Sequence, residues 1–245
     1  MRAAQANMRA PGRKRFFKDA EVKEVEGSFA LALDGRLART PARKPLGAPD
    51  RALMERVAQE WRRQGETIDP SGMPLTRLLN SAIDGVAARM EESRDSVAAY
   101  AGSDLLCYRA EAPEPLAERQ SQAFDPALRW AEEALGARFR LAAGVMPIAQ
   151  PPEALAAVRA ALQRVEDPLR LAALSVMTTL TGSAILALAV ANGAMTAGDA
   201  WRAAHVDEDF QAERWGVDAE AMARREARWR DMEAAGIALA PRGGD

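Results

Sequence analysis

Histidine, cysteine and clustered carboxylates are the side chains best suited to chemistry, and this chain uses them sparingly. Its single histidine, His205, is followed by Asp207, Glu208 and Asp209. His205, Glu208 and Asp209 fall at i, i+3 and i+4, which places them on one face of a helix. A metal held there would need a third or fourth donor from elsewhere, with its own supporting hydrogen bonds. A solvated acidic face is the simpler reading. The single cysteine, Cys107, lies among Leu105, Leu106 and Tyr108 and reads as core. One cysteine excludes an internal disulfide and a cysteine-based zinc cluster, and fits a reducing compartment. No serine sits in a G-x-S-x-G elbow, and neither GxGxxG nor GxxxxGK[ST] occurs. Thr181-Gly182-Ser183 is too short for a phosphate site and reads as a joint between two helices. The expectation is a protein without catalytic residues, cofactor or metal.

The segment from Asp207 to Gly216 is less generic. Three adjacent carboxylates repel one another, so stability alone does not account for Asp207, Glu208 and Asp209. Phe210 and Trp215 add two aromatics before the terminating Gly216. Carboxylates beside an indole could recognise a basic partner surface. Glu208, Gln211 and Trp215 step by three and four residues and so share a helical face. Plain helix packing competes with this, with Trp215 as a core anchor.

The elements that position these residues can be read from periodicity. Residues 15–40 alternate loosely, with turn signals at Gly27-Ser28 and Asp34-Gly35, which predicts three or four short strands. Thr40 to Pro49 holds three prolines and a glycine and reads as loop. Asp50 caps a helix with Leu53, Val57 and Trp61 on one face. Thr67 to Pro74 is a rigid connector. The expected divisions are a flexible N-terminus at 1–13, a β-rich domain with one helix at 14–70, a helical domain at 71–240 and a flexible tail at 241–245. Within the helical part, Ser93 reads as a cap, Asp125-Pro126 as a break, Asp167-Pro168 and Asp218 as starts, and Gly236 as a stop. Thr196 with Asp199 resembles a capping box opening a helix that runs to Trp215-Gly216. Leu171–Ala191 carries no charge over 21 residues, long enough to span a bilayer. Its polar middle, Thr178 to Ser183, instead predicts two short helices inside a helical domain. The fold class is α+β, a small N-terminal β-rich domain before a larger all-helical one.

Composition agrees. Alanine supplies 54 of the 245 residues and aromatics only 5%, which favours helices in close contact over a bulky aromatic core. The net charge of −2 selects neither nucleic acid nor membrane. The charge is lopsided, however. Residues 1–49 carry 11 basic and 5 acidic side chains, net +6, whereas residues 50–245 carry 22 and 30, net −8. Residues 1–13 have no apolar run of secretory length.

A set of short motifs, in order, goes further. They are Arg15-Phe-Phe-Lys18, Leu33-Asp-Gly-Arg36 with Thr40-Pro41, Glu60-Trp61 with Gln64, Ile68-Asp-Pro70 and Met73-Pro-Leu-Thr76. Asn80, Ile83, Asp84, Asp104, Tyr108-Arg109, Gln120, Asp125-Pro126, Asp207-Glu208, Gln211 and Trp215-Gly216 continue them. Over residues 15–216 the chain resembles the assembly chaperones of the catalytic head of F-type ATP synthase. Phe124 departs conservatively from the tryptophan common before Asp-Pro in that family.

The resemblance implies a chaperone and not an enzyme. Its partner would be the unassembled alpha subunit, whose beta-facing interface it would shield. It implies a monomer when free, with no nucleic-acid partner and no stable membrane insertion. The partner-binding candidates it marks are Glu208, Gln211 and Trp215, with Asp207 and Glu213 as alternates. Trp61, Met73, Pro74, Leu75 and Thr76 are expected to be structural, at the domain junction, with Trp61 packing between the domains. The N-terminus favours a bacterial member in the cytoplasm, with the mitochondrial matrix as the place of a eukaryotic one. The competing reading is a small-molecule enzyme or sensor with a pocket near Met73–Thr76.

Overall fold

The computed structural model describes residues 13–144 and 146–240. The expected tail at 241–245, and all but the last residue of the expected flexible N-terminus, lie outside the described residues. The chain divides into two compact units, Met1–Asn80 and Ser81–Asp245. The class is α+β, with the strands concentrated in the first unit.

In the first unit, β1 (Ala20–Val25) and β2 (Ser28–Leu33) form an antiparallel hairpin, with Ala20 opposite Leu33 and Val25 opposite Ser28. Glu26 and Gly27 turn it with φ of +52° and +76°, and Asp34-Gly35 repeats the geometry at +46° and +79°. Positive φ at both central residues gives the turn whose twist matches paired strands. The second turn leads into β3 (Arg36–Leu37), which pairs with β2. Asp34 Oδ1 accepts the amides of Lys18 and Asp19 at 2.9 and 2.8 Å, which fixes the Arg15–Lys18 segment beside that turn. β4 (Gly47–Ala48) also pairs with β2. It lies in the proline-punctuated stretch expected to be loop. Gly47 is the reason: a Cβ there would stand 2.6 Å from the Phe29 carbonyl oxygen, so glycine lets this backbone reach β2. Helix α1 (Arg51–Arg62) starts at Asp50, whose carboxylate accepts the Leu53 amide, and buries Leu53, Met54, Val57 and Ala58 against the sheet.

The division between units falls within α2 (Pro74–Asp84). The second unit then contains α3 (Met90–Tyr100), α4 (Glu114–Trp130), α5 (Pro152–Gln163), α6 (Pro168–Thr181) and α7 (Ala184–Ala191). Three further helices close the chain, α8 (Ala197–Ala204), α9 (Val206–Trp215) and α10 (Ala219–Leu239). The uncharged run becomes α6 and α7, and every side chain from Ala184 to Val190 is buried. Gly182, at φ +69°, ends α6 and Ser183 caps α7 by accepting the Leu186 amide. Asp104 is fully buried beneath this joint, accepting the Ile185 amide at 3.2 Å and the Leu106 amide at 3.1 Å. Among the described residues, no helix is long and apolar enough to cross a membrane.

Four further local expectations fail. α4 runs through Asp125-Pro126 without a break, held by its buried Gln120, Phe124 and Ala127 and by an Arg109–Asp125 ion pair at 2.6 Å. Tertiary packing there outweighs the local cost of proline. α3 begins at Met90, and Ser93 instead donates back to the Arg89 carbonyl from inside the helix. The helix opened by the Thr196–Asp199 capping box stops at Ala204, and His205 separates it from α9. Gly236 does not end α10. A Cβ there would lie 2.7 Å from Ala197 Cβ, so this glycine permits close contact with α8.

Candidate functional site

Helix α9 divides its side chains between two neighbours. Phe210 is buried, with the Arg119 and Arg214 guanidinium groups over its ring at 5.2 and 4.2 Å. Asp207 accepts a hydrogen bond from Gln120 Nε2 at 2.7 Å, and Glu213 pairs with Arg119 at 2.7 Å. These two candidates are therefore engaged with α4. Glu208, Gln211 and Trp215 line a different surface, an open groove of about 1020 Å³ between α9 and the first half of α10. The structure brings these three together and leaves Asp207 and Glu213 out of the groove lining.

The groove is apolar, with acidic groups along it. Trp215 is 77% exposed, so it is not a core anchor, and Val217 and Met222 beside it are 57% and 58% exposed. Trp201 and Trp229 also line it, in an edge-to-face pair 5.6 Å apart. Contiguous exposed apolar surface of this kind marks an interaction site. Gly216 makes the turn between the helices with φ +82° and ψ 177°, a combination open essentially only to glycine. Asp218 then caps α10 by accepting the Ala221 amide at 3.1 Å. Asp209 is paired with Arg225 of α10, which ties the two walls together. Glu208 and Glu226 also line the groove.

The adjacent carboxylates at 207–209 are better tolerated than their repulsion suggested. They occupy the first turn of α9, where the helix dipole favours negative charge. Asp207 and Asp209 also have partners, Gln120 and Arg225. Glu208 lies 3.8 Å from His205 Nε2, and its charge also acts on the Arg225 guanidinium that Asp209 holds. The His205 ring is buried and stacked on Trp201 at 3.8 Å, with Nδ1 2.8 Å from the Trp201 carbonyl. Burial holds its pKa below the ordinary value, so it stays uncharged at neutral pH and Glu208 shares the single cation Arg225 with Asp209.

Sequence reasoning missed the other wall. Val217, Met222 and Glu226 were not distinguished as site residues. Met222 and Trp229 are seven residues apart on α10 and so share a helical face, a spacing that by itself does not separate core from contact.

The second set of candidates forms a capping arrangement within the first unit. The Glu60 carboxylate accepts the Leu75 amide at 2.7 Å, the Thr76 amide at 2.8 Å and the Thr76 hydroxyl at 2.7 Å. Trp61 Nε1 donates to Thr76 Oγ1 at 3.2 Å, and its ring meets Phe17 edge-on at 5.5 Å. Pro74 opens α2, while Met73, Leu75 and Thr76 are buried. Two first-turn amides of α2 and the Thr76 hydroxyl are thus satisfied by one carboxylate from α1.

Nothing in these arrangements provides a reacting group. The Cys107 thiol is buried and its pKa is pushed up to about 12, chiefly by desolvation, so it is not a thiolate. Among the described residues, no three His, Cys, Asp or Glu side chains gather as a metal-holding group. An open apolar groove with acidic groups along it, on a helical scaffold, is the kind of surface on which proteins bind one another.

Comparison with known proteins gives the family. A family model described as ATP12 chaperone protein matches residues 14–132. The structure of Atp12 from Paracoccus denitrificans is 41% identical, covers 93% of this chain and 97% of its own, and superposes with a TM-score of 0.83. The Atu1473 protein of Agrobacterium tumefaciens is 51% identical over 92% of this chain and 85% of its own, with a TM-score of 0.87. The mitochondrial protein atp12 of Schizosaccharomyces pombe is 25% identical over 225 residues, 87% of this chain and 77% of that protein. The chain belongs to the ATP12 chaperone family. It is an ATP synthase assembly chaperone and not an enzyme, so the small-molecule enzyme reading falls.

Proposed function

We propose that the protein holds the unassembled alpha subunit of the ATP synthase catalytic head and shields its beta-facing interface until the head assembles. The observation that supports this reading is the α9–α10 groove, where exposed Trp215, Val217 and Met222 lie beside the exposed carboxylate of Glu208. A subunit that ends in a permanent complex exposes a large apolar interface before assembly, and such surface aggregates when left uncovered. Covering it reversibly needs an apolar surface and a few oriented charges, with no hydrolysis. Glu208, Gln211 and Trp215 are the contact residues of this reading. Asp207 and Glu213 orient α9 through Gln120 and Arg119, and Trp61 with Met73–Thr76 serves the fold. The place of action is the bacterial cytoplasm, or the mitochondrial matrix for a eukaryotic source.

The test is capture of isolated alpha subunit, followed by addition of beta subunit. The expected outcome is binding of free alpha, its release by beta, and no binding to the assembled hexamer. Equal binding to free alpha and to the intact head contradicts the shielding role.

A further inference from the structure

The first unit carries its own groove, of about 590 Å³, lined by Phe16, Phe17, Leu33, Leu37, Ala38 and Trp61 together with Asp34, Arg36 and Arg39. We propose that it is a second docking site, which takes an acidic segment of a partner protein bearing one bulky apolar side chain. This rests on different residues from the α9–α10 reading and does not depend on it.

The apolar part of the argument is exposure. Phe17 and Leu33 are buried, whereas Phe16 is 53% and Leu37 39% exposed, so the groove presents large apolar groups to solvent. The volume suits one large side chain with part of its flanking backbone. The unit's own core is complete without them, because α1 already covers the sheet through Leu53, Met54 and Val57.

The charge argument selects the occupant. Arg36 and Arg39 line the groove, the Arg13 guanidinium lies over the Phe16 ring at 4.6 Å and that of Arg15 over Phe17 at 4.5 Å. Arg15 is a fixed structural group, donating to the carbonyls of Phe17, Lys18 and Gln64. Arg39 donates to the Arg43 carbonyl. Arg36 has no hydrogen-bond or ion-pair partner among the described residues. The one carboxylate of the lining, Asp34, is held by the Lys18 and Asp19 amides, and these bonds keep its pKa below the ordinary value. Two lining guanidinium groups, with those of Arg13 and Arg15 over the flanking rings, outnumber the one lining carboxylate, in the part of the chain whose net charge is +6 over residues 1–49. Cations beside exposed apolar groups match an acidic, apolar-anchored segment. The chain's own residues 1–12 are a poor match, since they contain Arg2 and Arg9 and no acid.

The probe is a fluorescein-labelled ten-residue peptide of Asp and Glu around one central Trp, titrated with the full chain and followed by anisotropy at low salt. Saturable binding is expected, weakening as salt is raised. The double change Arg36→Glu with Arg39→Glu should lower affinity at least about tenfold, because two attractions become two repulsions. Arg36→Glu alone should lower it measurably, and this change removes no hydrogen bond of the fold. Replacing the peptide's Trp by Ser, or its acids by Lys, should abolish binding. Trp215→Ser should leave peptide binding unchanged, which separates this site from the α9–α10 groove. Unchanged affinity in the arginine variants overturns the proposal. So does equally tight binding of the Trp-free peptide or of a single-stranded oligonucleotide, which would make the surface a generic anion site. Displacement of the peptide by self-association at high protein concentration would assign the groove to a second copy and also overturn it.

Discussion

Replacing Trp215 by alanine separates a contact residue from a core residue. A tryptophan side chain can bury about 200 Å², and Trp215 leaves 77% of its surface in solvent. About 150 Å² is therefore still available for a partner, worth at most about 4 kcal/mol at 25 cal/mol per Å². Ordering the complex consumes part of this, and tryptophan hot spots cost about 2–4 kcal/mol when truncated. Affinity for isolated alpha subunit should fall about 30- to 900-fold. Folding stability should stay within about 0.5 kcal/mol of the parent, as for other surface substitutions. Calorimetric titration with alpha subunit and a thermal melt on the same sample measure both quantities. Binding within threefold of the parent would refute the reasoning at the site. A melt lowered by many degrees would refute it at the fold, by making Trp215 a packing residue.

Glu208→Gln should also leave the melt unchanged and weaken alpha-subunit binding about 10- to 150-fold if a charged hydrogen bond is lost, whereas Glu213→Gln should change binding little; equal losses in a binding titration would undo the division of α9 into two faces. Asp104 has its pKa raised from 3.8 to about 6 by burial, so its protonated form favours the fold. That stabilisation is full below pH 3.8 and is lost as pH rises through about 6, a change of about 3 kcal/mol. Asp104→Asn should flatten this part of the stability profile in urea titrations between pH 4 and 7.5, and an identical slope in the variant would exclude Asp104 as its source. Glu60→Ala leaves the Leu75 and Thr76 amides and the Thr76 hydroxyl without their acceptor. It should destabilise the protein by about 2–3 kcal/mol in urea unfolding, and a shift under about 0.5 kcal/mol would contradict the capping role.

Where sequence and structure agree, one local rule decided the outcome. Asp-Gly at 34–35 and the Thr196–Asp199 box are set by neighbouring residues, and both form as their types require. The α9 face was legible for the same reason, since spacings of three and four on one helix need no knowledge of other elements. The failures at Pro126 and Gly236 are tertiary. Pro126 stays within a helix because Gln120, Phe124 and Ala127 are buried on α4's inner face, and Gly236 is small because Ala197 of α8 approaches it. The role of Trp215 was open in the sequence because an indole reads alike as core or contact until its exposure is seen. Its groove partners on α10 were hidden because the turn at Gly216, with φ +82° and ψ 177°, brings Met222 back beside α9 only in three dimensions. Glu60 was legible as a motif residue, but its capping of α2 fifteen residues away was not.

Amide hydrogen exchange on the full chain, free and saturated with isolated alpha subunit, tests the client surface most directly. The groove reading predicts slowed exchange in Val206–Trp215 and in the first half of Ala219–Leu239. Unchanged exchange in both segments, with protection appearing only elsewhere in the chain, would contradict it.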